Sequence, residues 1–402
     1  MENYDLVIIG GGPAGLTSAI YGGRSKLKTL LINKGTIGGM VDTTREIVNY
    51  PGYVETTGPD LMKDFHEHAK SFGVDFLREE VLSVDFSQEE KVIKTKKGKE
   101  IAAKAVIIAC GSAPRMLNIP GESRLRGNGL AYCATCDAEF FEGEHVVVVG
   151  SGDQAIEEGM YIAKFASKVT VIVLHDEGTL DCNKVSAERA ACHPKMNFIW
   201  NSTVSEILGE DNVEAVKIKN IKTGESYDFP CQGVFLFVGM VPATGFLKDS
   251  GVAMDKRGYI PVNELMETNL EGVYAAGDNR VKYLRQVVTS AGDGATAAVA
   301  AGRYIDELNS FNAEVLQSDK KVALLFFNAM VDESLAFSTL LEELNSEMDS
   351  KYKVVKVDLA TKKSMANKYN IQAAPAVVIL DQGEEVKRLE CSMDKESIKA
   401  QL

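Results

Sequence analysis

Cys133-Ala134-Thr135-Cys136-Asp137 is the stretch whose residue types and spacing most directly permit chemistry. Two thiols separated by two residues can close a disulfide, and the adjacent carboxyl can shuttle the proton that thiol–disulfide exchange releases. The other use of such a pair is as half of a zinc site, which needs a second set of ligands. The remaining candidates, Cys182, Cys192 and His193, have no short Cys or His spacing. Seven cysteines are an odd number scattered over 402 residues, unlike the framework of a small secreted disulfide protein.

Two glycine loops offer a second kind of chemistry. Gly10-Gly11-Gly12-Pro13-Ala14-Gly15 follows an apolar run and precedes a helical one. Glycines at the first, third and sixth positions permit a tight turn and close backbone approach, and the helix N-terminus aims N–H groups at a pyrophosphate. Pro13 suits the first helical turn, where its missing N–H has no intrahelical role. The acidic residue expected after the next strand is absent. Asn33-Lys34-Gly35 stands there instead, and Asn33 can hydrogen-bond a ribose with less discrimination. Gly150-Ser151-Gly152-Asp153-Gln154-Ala155 is a second loop of the same kind.

The elements that must position these residues follow from the pattern. Tyr4–Ile9 is a predicted strand, Leu16–Tyr21 a helix and Thr29–Ile32 the next strand, a βαβ unit. His145–Val149, Ile156–Phe165 and Lys168–Val173 repeat that order. Ala113 to Gly121 and Gly239-Met240-Val241-Pro242 are rich in turn residues and read as two crossings between domains. After a polar stretch, predicted strands at Val322–Phe327, Tyr352–Val357 and Ala376–Leu380 alternate with helices at Leu335–Leu344 and Lys363–Tyr369. The expected fold class is α/β: two Rossmann-like domains followed by a compact C-terminal α/β module. The boundaries are 1–116 and 243–312 for a discontinuous first dinucleotide-type domain, 117–242 for a second nucleotide-type domain carrying the cysteine pair, 313–320 for a linker and 321–402 for the last domain.

Composition fits this plan. Apolar residues make up 45% and charged residues 25%, ordinary for a globular chain with real cores. The net charge of −13 argues against nucleic acid and anionic membrane surfaces as partners. No apolar run is long enough to span a bilayer, and the start has no basic leader pattern, so a cytoplasmic protein is expected.

Gly10 to Gly15, Tyr132 to Asp137, Gly272-Val273-Tyr274-Ala275-Ala276-Gly277-Asp278 and Arg285-Gln286-Val287 together resemble the low-molecular-weight thioredoxin reductase family, over about residues 1 to 310. The resemblance implies FAD on Gly10, Gly12, Pro13, Ala14 and Gly15, with further contacts at Asn33, Lys34, Gly39, Met40, Val81, Ala109, Gly111 and Gly277. It implies Asn49 near the isoalloxazine, Asp278 on the ribitol, and Arg285, Gln286 and Val287 at the flavin ring. It further implies that Cys136 faces the flavin, that Cys133 attacks the substrate disulfide and that Asp137 is the acid–base. A thioredoxin-like protein substrate and a homodimer are the implied partners.

The family's NADPH enzymes carry a His-Arg-Arg run with a further Arg soon after, for the 2′-phosphate. Here Val171 to Asp181 contains no arginine and three acids. A doubly negative phosphate wants guanidinium forks, so NADPH is a poor candidate donor and NADH a better one. The ferredoxin-dependent flavin thioredoxin reductases have similarly eroded sites, which makes ferredoxin another candidate. A basic hairpin (Lys91, Lys94, Lys96, Lys97, Lys99) is either its dock or a solvated turn.

Residues 321–402 resemble thioredoxin, with Pro375 at the cis-proline and Gln382-Gly383-Glu384 at the hairpin turn. The active-site cysteines are replaced by Val331 and Ser334, so this domain is expected to bind or dimerise rather than carry electrons. Cys391 is expected to be an apolar filler or, less readily, a functional thiol. Two rival functions remain open at this level: an FAD-dependent dithiol oxidase that passes electrons to oxygen, and a redox-sensing or scaffold flavoprotein acting through its C-terminal domain.

Overall fold

The computed structural model describes residues 1–44, 47–359, 363–389, 391 and 394–402, with the backbone alone of 363, 364 and 367. The chain divides into two compact units, Met1–Thr268 with Tyr274–Ala298, and Asn269–Val273 with Val299–Leu402.

The first unit opens with β1 (Glu2–Ile9), α1 (Pro13–Arg24) and β2 (Thr29–Ile32), followed by α2 (Gly58–Ser71), β3 (Asp75–Leu77), β4 (Val81–Asp85), β5 (Lys91–Thr95) and β6 (Glu100–Ile108). These strands lie in the order β3-β2-β1-β6-β5-β4. β1 pairs in parallel with β2 and β6, whereas β4, β5 and β6 form antiparallel neighbours. The Val-, Ile- and Leu-rich inner strands are buried on both faces, as helix-covered parallel strands require. Ile9 pairs with Ile32 on one side and Ile108 on the other. The next residues, Gly10, Asn33 and Ala109, therefore emerge at one carboxyl edge, where open α/β sheets bind ligands.

The chain crosses through β7 (Ser112–Pro114) into β8 (Leu130–Ala131), α3 (Ala134–Asp137), β9 (His145–Val149), α4 (Asp153–Ile162), β10 (Lys168–Ile172), α5 (Lys184–Ala191) and β11 (Met196–Ile199). An antiparallel meander, β12 (Ser202–Leu208), β13 (Ala215–Asn220) and β14 (Ser226–Pro230), precedes β15 (Gly233–Leu236). The second parallel sheet has the order β11-β10-β9-β15-β8. Val149 pairs with Ile172 and Leu236, which places Gly150 at its carboxyl edge too. The return strand β16 (Met240–Pro242) pairs antiparallel with β7, so the two expected crossings form one ribbon. Next come β17 (Val273–Ala275) and the long helix α6 (Val287–Phe311).

α4 starts at Asp153, three residues earlier than the apolar periodicity predicts, and ends at Ile162 rather than Phe165. Gly152 is its extended N-cap, so the helix begins directly at the end of the glycine loop.

The second unit carries β18 (Val322–Phe327), α7 (Asp332–Glu347), β19 (Lys353–Asp358), α8 (Lys363–Lys368), β20 (Ala376–Asp381), β21 (Glu384–Leu389) and α9 (Lys395–Gln401). Its sheet order is β19-β18-β20-β21, with β18 parallel to β19 and antiparallel to β20. α7 begins earlier than predicted because Asp332 and Glu333 sit in its first turn, where acids complement the helix dipole. Among the described residues, no helix is long and apolar enough to cross a membrane.

Candidate active site

The first glycine loop is shaped by close approach. A Cβ on Gly10, whose φ is +117°, would strike the Ala109 carbonyl, and one on Gly15 would fall on the Gly10 carbonyl oxygen. Gly15 thus lets α1 pack onto the loop rather than face the cleft. At Gly12 an added Cβ meets nothing nearer than the Gly38 oxygen at 4.0 Å, so the loop is open there. The N-terminus of α1 has no side-chain cap and no acid in its first turn, which leaves its N–H groups to a ligand. Asn33 holds the loop from the side: Oδ1 accepts the Gly11 N–H at 3.0 Å, and Nδ2 donates to the Thr36 oxygen at 2.7 Å. Its amide is therefore engaged with the backbone rather than presented freely to a ribose.

On the other wall, Asp278 accepts from Ser290 Oγ at 3.1 Å and lies 3.8 Å from Lys282 Nζ. Burial pushes its carboxyl above the ordinary range, partly offset by Lys282 and Ser290. Behind it Asp293 accepts from Gly277 N, Arg280 and Lys282. Burial alone would raise the Asp293 carboxyl, but the hydrogen bonds from Arg280 and Lys282 hold it below the usual carboxylate range. The fully buried Asn279 ties the loop after β6 to this wall, accepting from Gly111 N and donating to the Ile108 oxygen. Arg285 stacks over Tyr259 at 4.5 Å, and its buried Nε has no hydrogen-bond partner among the described residues.

Cys133 and Cys136 form a disulfide, with Cα atoms 5.4 Å apart, on the short helix α3. Cys133 is the N-cap residue, and Asp137 follows at the half-buried end of the turn. Thr135 Oγ1 lies 3.4 Å from Cys133 Sγ and accepts from Gln286 Nε2 at 3.1 Å. Gln286 Oε1 in turn accepts from Asn49 Nδ2 at 3.4 Å. A polar chain Asn49–Gln286–Thr135–Cys133 therefore links the wall of the first cleft to the redox turn. Beneath the turn, the Glu158 carboxylate accepts the Ala134 N–H at 3.0 Å. The buried Glu122 accepts from Tyr132 OH and from Leu117 N on the crossing segment.

The second glycine loop differs from the first in charge. Gly152 is open, but Asp153 sits in the first turn of α4. The segment after β10 folds back over the loop: Asp181 N donates to Ser151 O, and its carboxylate accepts from Ser151 Oγ and pairs with His175 Nε2, both at 2.7 Å. Asn183 donates twice to Asp153, and Asp176 pairs with Lys222. The Asp181 carboxyl is held low by Ser151 and His175, and that of Asp153 by Asn183. Two ionised carboxylates thus rim this loop at neutral pH.

Cys133, Cys136 and Asp137 line one continuous cleft of about 1900 Å³ that also reaches both glycine loops. Gly10, Gly12, Pro13, Ala14, Asn33, Gly39, Met40, Asn49, Ala109, Gly111, Gly277, Asp278, Arg285, Gln286 and Val287 line it as well. Gly15, Lys34 and Val81 are not among its lining residues, and the Lys34 ammonium instead pairs with Glu80 at 2.9 Å. The basic hairpin is largely neutralised. Lys94, Lys96 and Lys99 pair with Glu100, Glu80 and Glu79, and Lys91 is buried, which leaves little positive field for an acidic carrier. Thr135, Glu158, Glu122, Lys282, Asp293 and Asp181 join the site without having been singled out from sequence. Glu158 lies two turns after a glycine loop that was recognised, but only tertiary contact reveals its target.

Residues 4–302 match the pyridine nucleotide-disulphide oxidoreductase family. The chain belongs to that family. It is 47% identical to a thioredoxin reductase from Peptoclostridium litorale over 77% of this chain and 99% of the relative. It is 44% identical to the Bacillus subtilis thioredoxin reductase over 76% of this chain and 96% of that protein. The crystal structure of a Streptococcus pyogenes thioredoxin reductase superposes with a TM-score of 0.70 at 41% identity, covering 76% of this chain and 99% of that one. This family member is an FAD-dependent disulfide oxidoreductase of the thioredoxin reductase type, and the residues present fit FAD. The open Gly12 position and uncapped α1 suit a pyrophosphate, and the orphan Arg285 Nε offers a donor.

Residues 304–402 match thioredoxin. In this domain Val331 is the half-exposed N-cap of α7, and Ser334 is fully buried, its Oγ accepting from Asn328 N at 2.9 Å. The Ala374–Pro375 peptide is cis. Cys391 packs against the domain core, and burial raises its thiol pKa, the setting of an inert filler.

Proposed function

We propose that this thioredoxin reductase-like flavoprotein passes electron pairs through FAD and the Cys133–Cys136 disulfide to the disulfide of a thioredoxin-like protein, drawing them from a donor other than NADPH. The observation that carries this reading is the disulfide itself, set in the same cleft as the FAD cradle and linked to it through Thr135 and Gln286. When bound, FAD supplies two-electron chemistry beside the pair. Gly10, Gly12, Pro13 and Ala14 would hold its pyrophosphate, Asp278 its ribitol, and Asn49, Arg285, Gln286 and Val287 would flank its ring.

In the outgoing half-reaction the Cys133 thiolate attacks one sulfur of the partner disulfide. That bond breaks, a mixed disulfide forms, and the departing partner sulfur takes a proton. The Cys136 thiolate then attacks the Cys133 sulfur, which closes the internal disulfide and releases the partner's second thiol. Two electrons and two protons pass in all, and Asp137 would hold and move the protons. Thr135 Oγ1, against Cys133 Sγ, can donate to the forming thiolate.

The donor reading rests on the acidic rim of the second loop. Asp153 and Asp181 stand where a nucleotide phosphate approaches, and a 2′-phosphate adds roughly two more negative charges nearby. NADH or a reduced ferredoxin is the donor class that remains. The C-terminal thioredoxin domain, without a thiol pair, serves as a docking element.

Single-cysteine variants test the assignment. With an oxidised thioredoxin, reduced Cys136→Ser should accumulate a mixed disulfide through Cys133, whereas Cys133→Ser should not. The reverse pattern would exchange the two roles, and no adduct in either variant would remove the protein-disulfide substrate.

A further inference from the structure

Disulfide-exchanging CxxC turns commonly place their first cysteine at a helix N-terminus, where free backbone N–H groups stabilise the thiolate and lower its pKa. The turn here has the same layout but not the same electrostatics. Cys133 is the N-cap of α3, yet the Ala134 N–H points to Glu158 Oε2 at 3.0 Å, and the nearby Thr135 N–H also favours the ionised form of that carboxyl. Glu158 comes from another element, the second turn of α4, and is mostly withdrawn from solvent. Burial raises its own pKa, and the two N–H groups pull it back.

Other charges around the turn are mainly of the same sign. Asp137 is on the turn, Glu139 on the helical turn that follows, and Glu157 beside Glu158 on α4. The facing loops bring the amides of Asn49 and Gln286, and the Arg126 guanidinium lies over the Tyr132 ring just before the turn.

We infer that Glu158 sets the reducing strength of the Cys133–Cys136 pair, by withholding the Ala134 N–H from the Cys133 thiolate and adding negative charge behind the turn. A dithiol whose thiolate is well stabilised is a poor reductant, because its reduced form is favoured. Denying that stabilisation favours the disulfide and makes the dithiol a readier donor, as an enzyme that reduces protein disulfides needs. The inference rests on the pair being the redox centre proposed above. Glu158 acts through the backbone of the turn and is a positioning residue.

The test compares the FAD-loaded full chain with Glu158→Gln and Glu158→Ala, using flavin absorbance per chain as the folding control. Two readouts apply: the pH dependence of Cys133 alkylation in the reduced protein, followed by peptide mass mapping, and the anaerobic equilibrium of the pair with dithiothreitol. Both variants should shift the alkylation midpoint down by about one pH unit. They should move the equilibrium about tenfold toward the dithiol, about 30 mV for a two-electron couple. Unchanged midpoints and equilibria in FAD-retaining variants would overturn the inference.

The unsubstituted chain offers a check that needs no variant. Its Cys133 midpoint should lie at or above the ordinary thiol value of about 8.5, and a depressed midpoint near 7 would overturn the inference. Trapping of a partner by Cys136→Ser depends on neither result, so failure here leaves the cysteine roles standing.

Discussion

Asp278 keeps its place because Asp293 organises the cations around it. Lys282, only 4% exposed at its side chain, lies between the two carboxylates, and Arg280 adds a second cation on Asp293. Asp293→Asn would leave Lys282 and Arg280 with a buried charge short of a counter-ion. We expect a loss of about 3 kcal/mol in urea unfolding, together with weaker FAD retention on gel filtration. The pH dependence has a definite sign. Because the folded Asp293 pKa is depressed, its contribution is fully present above the ordinary Asp value of about 4 and disappears as pH falls through the folded value. Asp137→Asn should behave differently, keeping flavin while slowing disulfide exchange about a hundredfold in stopped-flow assays. Normal turnover would remove its acid–base role. At this scale the cysteine pair and the first-loop glycines were legible because motif spacing encodes them, whereas Asp278 was singled out only through the family resemblance. Glu158, Asp293 and Thr135 were not, since each matters through a partner outside its own element or motif.

Among the elements, α1 and α4 make an informative contrast. Both follow a parallel strand and both begin at an uncapped glycine, so sequence periodicity identifies the pair as equivalent. They diverge at their first turns. α1 has no acid there, whereas Asp153 starts α4 and Asp181 folds back onto Ser151. The missing arginines were visible in the sequence, but the hydrogen bonds that seat Asp181 on the loop were not. Asp181→Asn removes one rim charge, and calorimetric titration should show affinity for ADP-ribose rising about tenfold. An unchanged affinity would mean that the acids are not what disfavours nucleotides at this loop. The basic hairpin shows the opposite limit. Five lysines in one short stretch read as a charged patch, yet partners on β6 and in the segment before β4 neutralise most of it.

For the molecule as a whole, the α/β class followed from alternating strand and helix patterns, with strand limits at Thr29–Ile32, His145–Val149 and Val322–Phe327 matching the structure, whereas the thioredoxin-type C-terminal fold came from resemblance to that family. Helix limits were less legible, as at α4 and α7, because caps and first-turn acids extend a helix beyond its apolar stripe. Among the described residues Cys133–Cys136 is the one disulfide, and the last domain has Cys391 alone. Cys133→Ser should therefore reduce thioredoxin-disulfide turnover by the full-length chain to background, with FAD still bound. Residual turnover would assign a redox role to the C-terminal domain.

The most direct measurement mixes the oxidised, FAD-loaded chain anaerobically with NADPH, NADH and a reduced ferredoxin in turn, follows the flavin band, and then adds an oxidised thioredoxin. We expect NADPH to leave the band unchanged, NADH or ferredoxin to bleach it, and thioredoxin to restore it only when both Cys133 and Cys136 are present. Rapid bleaching by NADPH, silence with all three donors, or restoration in Cys133→Ser would contradict that expectation.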